Sequence, residues 1–160
     1  MNACLEEVAQ YRGNEDTLRV MNVVLITGAS SGIGAATAIE FAEAGWNVMA
    51  AGRDEGRLEE VADVSDKIST WAGELVDSED CDELVADTID EFGAIDCLIN
   101  SAGVLPRGNA EETSDETWRD TMSINLDVPF YLSRAALPYL LQTGGMAEKP
   151  MISSPRPKAM

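Results

Sequence analysis

Short apolar runs alternate with amphipathic stretches along this chain. Asn22-Val-Val-Leu-Ile-Thr27 is apolar on both faces, as expected of a strand in a parallel sheet covered by helices on each side. A glycine-rich turn follows, then a helical stretch from about Gly32 to Ala44, which Gly45 ends as a C-terminal cap. Asn47-Val-Met-Ala-Ala51 is the second apolar run, and the helical segment after Asp54 places Leu58 and Val61 on one face. Ile68 to Trp71 reads as a weaker third strand, and Asp80 to Phe92 as a helix with Leu84, Val85, Thr88 and Ile89 on its buried stripe. Ile95-Asp-Cys-Leu-Ile99 is the fourth strand. Ser114 to about Gln142 is a long helical pattern with Trp118, Met122, Leu126, Phe130, Leu137 and Leu141 near one side, kinked by Pro129 and Pro138. Strands and helices alternating at this spacing predict right-handed βαβ crossovers, hence an α/β fold with an open parallel sheet.

Charge narrows the partners. The 160 residues hold 29 Asp and Glu against 11 Lys and Arg, a formal charge of -18. Such a field repels phosphate backbones and anionic lipid heads, so neither nucleic acid nor a membrane surface is an expected partner. No apolar run approaches a bilayer span, and a soluble domain is expected. The only lysines are Lys67, Lys149 and Lys158, and an acidic, lysine-poor surface fits a salt-adapted protein as well as plain solubilising charge. On the salt-adapted reading, low salt unfolds the chain, because counterions no longer screen its self-repulsion.

Side-chain inventory removes several chemistries. The chain has no histidine, which excludes a Ser-His-Asp triad, a Cys-His pair, His-ligated zinc and a histidine pH switch. Cys4, Cys81 and Cys97 are an odd set without a C-x-x-C spacing; they indicate no disulfide framework and no thiolate metal site, and fit a reducing cytoplasm.

The chain divides into three parts. Residues 1 to 20 carry Glu6, Glu7, Glu15 and Asp16 and no continuous apolar segment, so they read as an acidic extension and not as a secretory signal. Met21 stands directly before the first strand, which leaves open whether translation starts at Met1 or Met21. Residues 21 to 145 form the alternating unit. After Gly144-Gly145, residues 146 to 160 hold three of the six prolines and a net charge of +2, leaving -20 on the preceding residues. A basic, proline-rich tail is atypical of so acidic a body.

Thr27-Gly-Ala-Ser-Ser-Gly-Ile-Gly34 places glycines at 28, 32 and 34 between the first strand and its helix. Glycine permits positive φ and lets a pyrophosphate approach without a Cβ in the way, while the helix start offers free N–H groups and a favourable dipole. Ser30 and Ser31 add hydroxyl donors. The spacing is G-x-x-x-G-x-G, and the alternative to a dinucleotide cradle is a tight turn without ligand.

Together with Asn100-Ser-Ala-Gly103 after the fourth strand, this motif resembles the short-chain dehydrogenase/reductase family. The resemblance implies a Rossmann-like, doubly wound parallel sheet in the order 3-2-1-4, here truncated after about four strands, with strand four left as an exposed edge. It implies that Thr27, Gly28, Ser30, Ser31, Gly32, Ile33 and Gly34 hold the diphosphate of NAD(P). Asn100, Ala102 and Gly103 would lie beside the cofactor, with Ser101 in place of the family's second Asn. Where a carboxylate at the end of the second strand would favour NAD, this chain has Gly52 and then Arg53, so NADP is expected, although Asp54 follows directly. Pairing of Arg53 with a nearby helix carboxylate is the alternative. Glu74, with Asp77 second, matches the acidic residue that contacts adenine. Asn125 matches the Asn that bends the long helix and holds a water in the proton relay. The helix spanning 114–142 resembles one that forms a dimer face, implying a homo-oligomer; core packing is the compatible alternative.

The resemblance stops at the proton-transfer pair. Tyr11, Tyr131 and Tyr139 all lack a lysine four residues later, so the family's Tyr-x-x-x-Lys is missing. Met151-Ile-Ser-Ser154 is faintly similar to the region of the catalytic Ser, offering Ser153 or Ser154, but Pro150, Pro155 and Pro157 oppose a central strand there. The resemblance covers about residues 21 to 145. It implies an NAD(P)-dependent oxidoreductase acting on a small carbonyl or alcohol, inactive or weakly active as this chain. A non-catalytic dinucleotide-binding or interaction module is the alternative, and a non-functional gene fragment is a third. Leu105, Pro106 and Arg107 stand for substrate contact or for loop packing.

Overall fold

The computed structural model describes residues 22–143 and 146–147. The acidic extension, Met21, Ser153, Ser154 and the tail from residue 148 lie outside the described residues. Five strands form one parallel sheet: β1 (Val23–Thr27), β2 (Asn47–Gly52), β3 (Ile68–Ala72), β4 (Cys97–Asn100) and β5 (Met146–Ala147), in the order β3-β2-β1-β4-β5. The helices between them are α1 (Gly32–Glu43), α2 (Glu55–Ala62), α3 (Ser78–Phe92), α4 (Asp115–Met122) and α5 (Val128–Thr143). None of the described helices is long and apolar enough to cross a membrane.

β1 is buried along its whole length, and its alternating side chains feed two cores. Val24 and Ile26, with Val48 and Ala50 of β2, pack under α1 and α2 through Ala38, Ala42, Leu58 and Val61. Leu25, Met49 and Leu98 pack on the opposite face against α3 and α5 through Leu84, Val85, Leu132, Ala136 and Leu140. Helix ends follow local chemistry. Asp54 caps α2 by accepting from the Arg57 N–H, and Asp77 and Asp80 form a reciprocal capping box at the start of α3. Gly93 ends α3 at φ 75°, a left-handed conformation that glycine adopts without strain.

Two expectations need correction. The fourth strand starts at Cys97, with Ile95 buried in the connection before it. There Asp96 ties the start of β1, its side chain accepting from the Val23 N–H at 2.8 Å while its own N–H donates to the Val23 carbonyl. Strand four is not a bare edge, because β5 pairs with Cys97 and Leu98; only Ile99 and Asn100 extend past it. The long helix loses its regular winding in a π-helical turn at Ser123–Asp127, whereas Pro138 sits within α5. The Val128 N–H reaches back five residues to the Ser123 carbonyl, and Pro129 has no N–H to offer the Asn125 carbonyl four residues back.

Candidate functional site

The strand order reverses between β1 and β4, since β2 and β3 lie on one side of β1 and β4 on the other. In open α/β sheets the crevice for ligands opens beyond the carboxyl ends of the strands at such a point. Thr27 and Asn100 are register partners there, and the loops leaving them touch. The Thr27 hydroxyl accepts from the Ala102 N–H at 3.2 Å. Gly28 sits at φ 68°, where a Cβ would come within 2.8 Å of the Ala102 backbone, so no other residue lets the two loops meet this closely.

The turn then delivers the chain into α1. Ser31 occupies the N-cap position in extended conformation, and its side chain makes no capping hydrogen bond. The first amides of α1 therefore keep their donors for another acceptor, at the positive end of a 12-residue helix. A Cβ on Gly34 would fall onto the Gly28 carbonyl, whereas one on Gly32, at φ 57°, would meet nothing within 4 Å. Gly34 thus serves close packing of helix against turn, and Gly32 borders open space. Ile33 projects outward, 82% exposed. This arrangement of donors and room fits a diphosphate.

The side-chain amide of Asn100 has both its oxygen and its nitrogen buried, with no hydrogen-bond partner among the described residues. A buried polar group left in that state costs about 1–3 kcal/mol, so a polar ligand atom reaching it would be favoured. Asn125 is brought to the same end of the sheet by the π-helical turn. Its Nδ2 donates to the Val104 carbonyl at 2.7 Å and its Oδ1 accepts from the Val104 N–H at 3.0 Å, clamping the loop after β4. Gly103 makes room for the clamp, since a Cβ there would lie 3.0 Å from Asn125 Oδ1. Beyond Val104 the loop is exposed, with Leu105 at 90%, which removes loop packing as the account of that side chain.

At the far side of the crevice, Gly52 ends β2 and Arg53 follows it, its side chain largely exposed. Asp54 is turned away: its carboxylate caps α2 and pairs with Arg57 Nε at 3.3 Å. That role was legible as an acidic N-cap before a helical pattern, and the sequence reading missed it. Arg53 Nη1 instead faces Glu74 Oε1 at 4.0 Å. Asp77 is committed to the cap of α3, which leaves Glu74 as the acidic side chain of that loop facing the site. Tyr131 and Tyr139 pack against the core on the α3 and α5 side of the sheet. Among the described residues no group of His, Cys, Asp or Glu could hold a metal ion.

The sequence profile of the short chain dehydrogenase family matches residues 22–147. An uncharacterized oxidoreductase of Thermotoga maritima is 39% identical over 128 residues, which are 77% of this chain and 50% of that protein. The 11-beta-hydroxysteroid dehydrogenase A of Sesamum indicum is 40% identical over 129 residues, 77% of this chain and 37% of that one. Among solved structures, an alcohol dehydrogenase of the archaeon Thermococcus sibiricus, complexed with 5-hydroxy-NADP, superimposes with a TM-score of 0.75 at 30% identity, covering 79% of this chain and 56% of that one. The chain spans about half the length, or less, of these relatives.

Proposed function

The chain belongs to the short-chain dehydrogenase family, and from that premise we propose that it carries the dinucleotide site of an NADP-preferring oxidoreductase that interconverts a carbonyl and an alcohol on a small molecule. One observation carries the cofactor reading: Arg53 is the group presented at the end of β2, while Asp54, the carboxylate that would repel a 2′-phosphate, is consumed as a helix cap. A guanidinium suits bidentate phosphate contact. The archaeal relative's complex with 5-hydroxy-NADP supports the same preference.

Thr27, Gly28, Ser30, Ser31, Gly32, Ile33 and Gly34 hold the diphosphate through backbone donors and hydroxyls, and Arg53 takes the 2′-phosphate. Asn100, Ala102 and Gly103 border the nicotinamide half. A bound nicotinamide supplies the hydride donor or acceptor. Asn125 positions the loop after β4, and its main-chain carbonyl, without an α-helical partner, is the acceptor available to a relay water. The 160 residues hold no Tyr-x-x-x-Lys pair, and the part of the chemistry they carry is the dinucleotide site. The cysteine usage supports a reducing compartment such as the cytoplasm. The exposed stripe of Trp118, Leu126, Phe130, Leu137 and Leu141 supports pairing of two copies through the helix region 114–142.

Fluorescence titration of the full chain with NADPH and NADH in molar salt, followed by a panel of carbonyls, tests this. The expected result is tighter binding of NADPH with slow or no oxidation. Equal or tighter binding of NADH overturns the preference, and no binding of either overturns the site.

A further inference from the structure

The carboxylate facing Arg53 belongs to the neighbouring strand end. Gly52 and Ala72 are register partners in β2 and β3, and the Gly73 N–H donates to the Gly52 carbonyl at 3.0 Å, so the chain segments after both strands leave side by side. Arg53 is the first residue past one strand and Glu74 the second past the other. Their side chains meet at 4.0 Å with 69% and 66% of their surfaces exposed. Neither is buried, and neither has another ion-pair partner among the described residues.

We infer that Glu74 is a counter-charge that holds Arg53 in the unliganded protein and must release it when a 2′-phosphorylated adenosine arrives, so that Glu74 sets how strongly the site prefers the phosphorylated ribose. The inference rests on the dinucleotide reading above and assigns Glu74 a role different from contact with adenine. An exposed pair of this kind contributes little to stability. It nevertheless competes directly, because a carboxylate and a phosphate seek the same in-plane N–H donors of one guanidinium, and the carboxylate also repels the incoming dianion. Its influence declines with salt, as both the pair and the phosphate contact are screened.

The test compares adenosine 5′-phosphate with adenosine 2′,5′-bisphosphate by isothermal titration against the full chain and its Glu74→Gln, Arg53→Gln and doubly substituted forms. The expected outcome is that Glu74→Gln tightens the bisphosphate about two- to fivefold relative to the monophosphate, the range that one exposed ion pair allows. In the Arg53→Gln background most of that gain is expected to disappear, leaving only the smaller share that comes from direct repulsion of the dianion. If Glu74→Gln weakens both ligands alike, Glu74 contacts adenine and the inference falls. An unchanged ratio of the two affinities also overturns it, with the dinucleotide site intact. Failure of the unaltered chain to bind either ligand overturns the dinucleotide reading and this inference together.

Discussion

The two helical layers on this sheet are built differently. On one side α1 meets the strands through small residues, Ala38 and Ala42, with Gly34 at the closest approach to the turn, while α2 packs through Leu58 and Val61; the two helices turn Glu40, Glu43, Glu59 and Glu60 outward. On the other side α3 and α5 pack larger residues, Leu84, Leu132 and Leu140, against Leu98 of β4, and α5 turns Phe130, Leu137 and Leu141 outward, at 60%, 47% and 72% exposure. The small residues bring backbone close to backbone at the glycine turn, where Gly34 meets the Gly28 carbonyl. The large-residue layer is apolar twice over, once toward the sheet and once away from it. Nothing in the described chain covers that outward apolar face, and it is the face through which the proposed pairing of two copies would run.

Four substitutions separate the layers. The largest effect is expected inside the large-residue one: Leu132→Ala removes a fully buried side chain and should cost about 2–5 kcal/mol in urea unfolding. Leu141→Ala, on the outer face of the same helix, should cost less than about 0.5 kcal/mol yet weaken self-association in sedimentation velocity. Comparable costs at the two positions would erase the distinction between the faces. In the close-packed layer, Gly34→Ala should cost about 1–3 kcal/mol, because the new Cβ meets backbone that cannot swing aside. Gly32→Ala has open space and pays only left-handed strain, about 1–2 kcal/mol. Comparison of their thermal midpoints sharpens which glycine serves packing and which borders open space.

An effect confined to alkaline pH concerns Cys81, buried on α3 in the large-residue layer. Burial, reinforced by the carboxylates of Asp80, Asp82 and Asp77, pushes its thiol from 9.0 up to about 11. Folding thus favours the neutral thiol. Its stabilising contribution is complete below pH 9 and disappears as pH rises through about 11, where the unfolded chain already ionises. Cys81→Ala should flatten the stability decline over that window in urea titrations, and an unchanged slope would contradict it.

Much of the fold was legible because periodicity reports burial. The apolar runs located all four main strands to within two residues, and the Leu84, Val85 and Thr88 stripe of α3 is buried as read. Helix α5 shows where periodicity fails. Val128, Leu132, Ala136 and Leu140 are an apolar stripe as regular as the exposed one, and spacing alone cannot say which of two apolar faces meets the sheet. The site divides similarly. Glycines at 28, 32 and 34 were readable because positive φ and close approach are local demands. The clamp of Asn125 on Val104 joins residues 21 apart in sequence, and no local pattern marks it.

By itself, the sequence determined the α/β alternation, the glycine turn between strand and helix, the acidic surface, and the absence of histidine and of a Tyr-x-x-x-Lys pair, all of which follow from residue identity and short spacing. Only the tertiary structure decided that Asp54 caps a helix while Arg53 faces Glu74, that Asn100 keeps an unpartnered amide at the reversal of strand order, and which face of α5 meets the sheet. Those outcomes depend on which strand ends and helices become neighbours. A charge or an amide takes its role from the partner the sheet brings within reach, and that partner lies elsewhere in the chain.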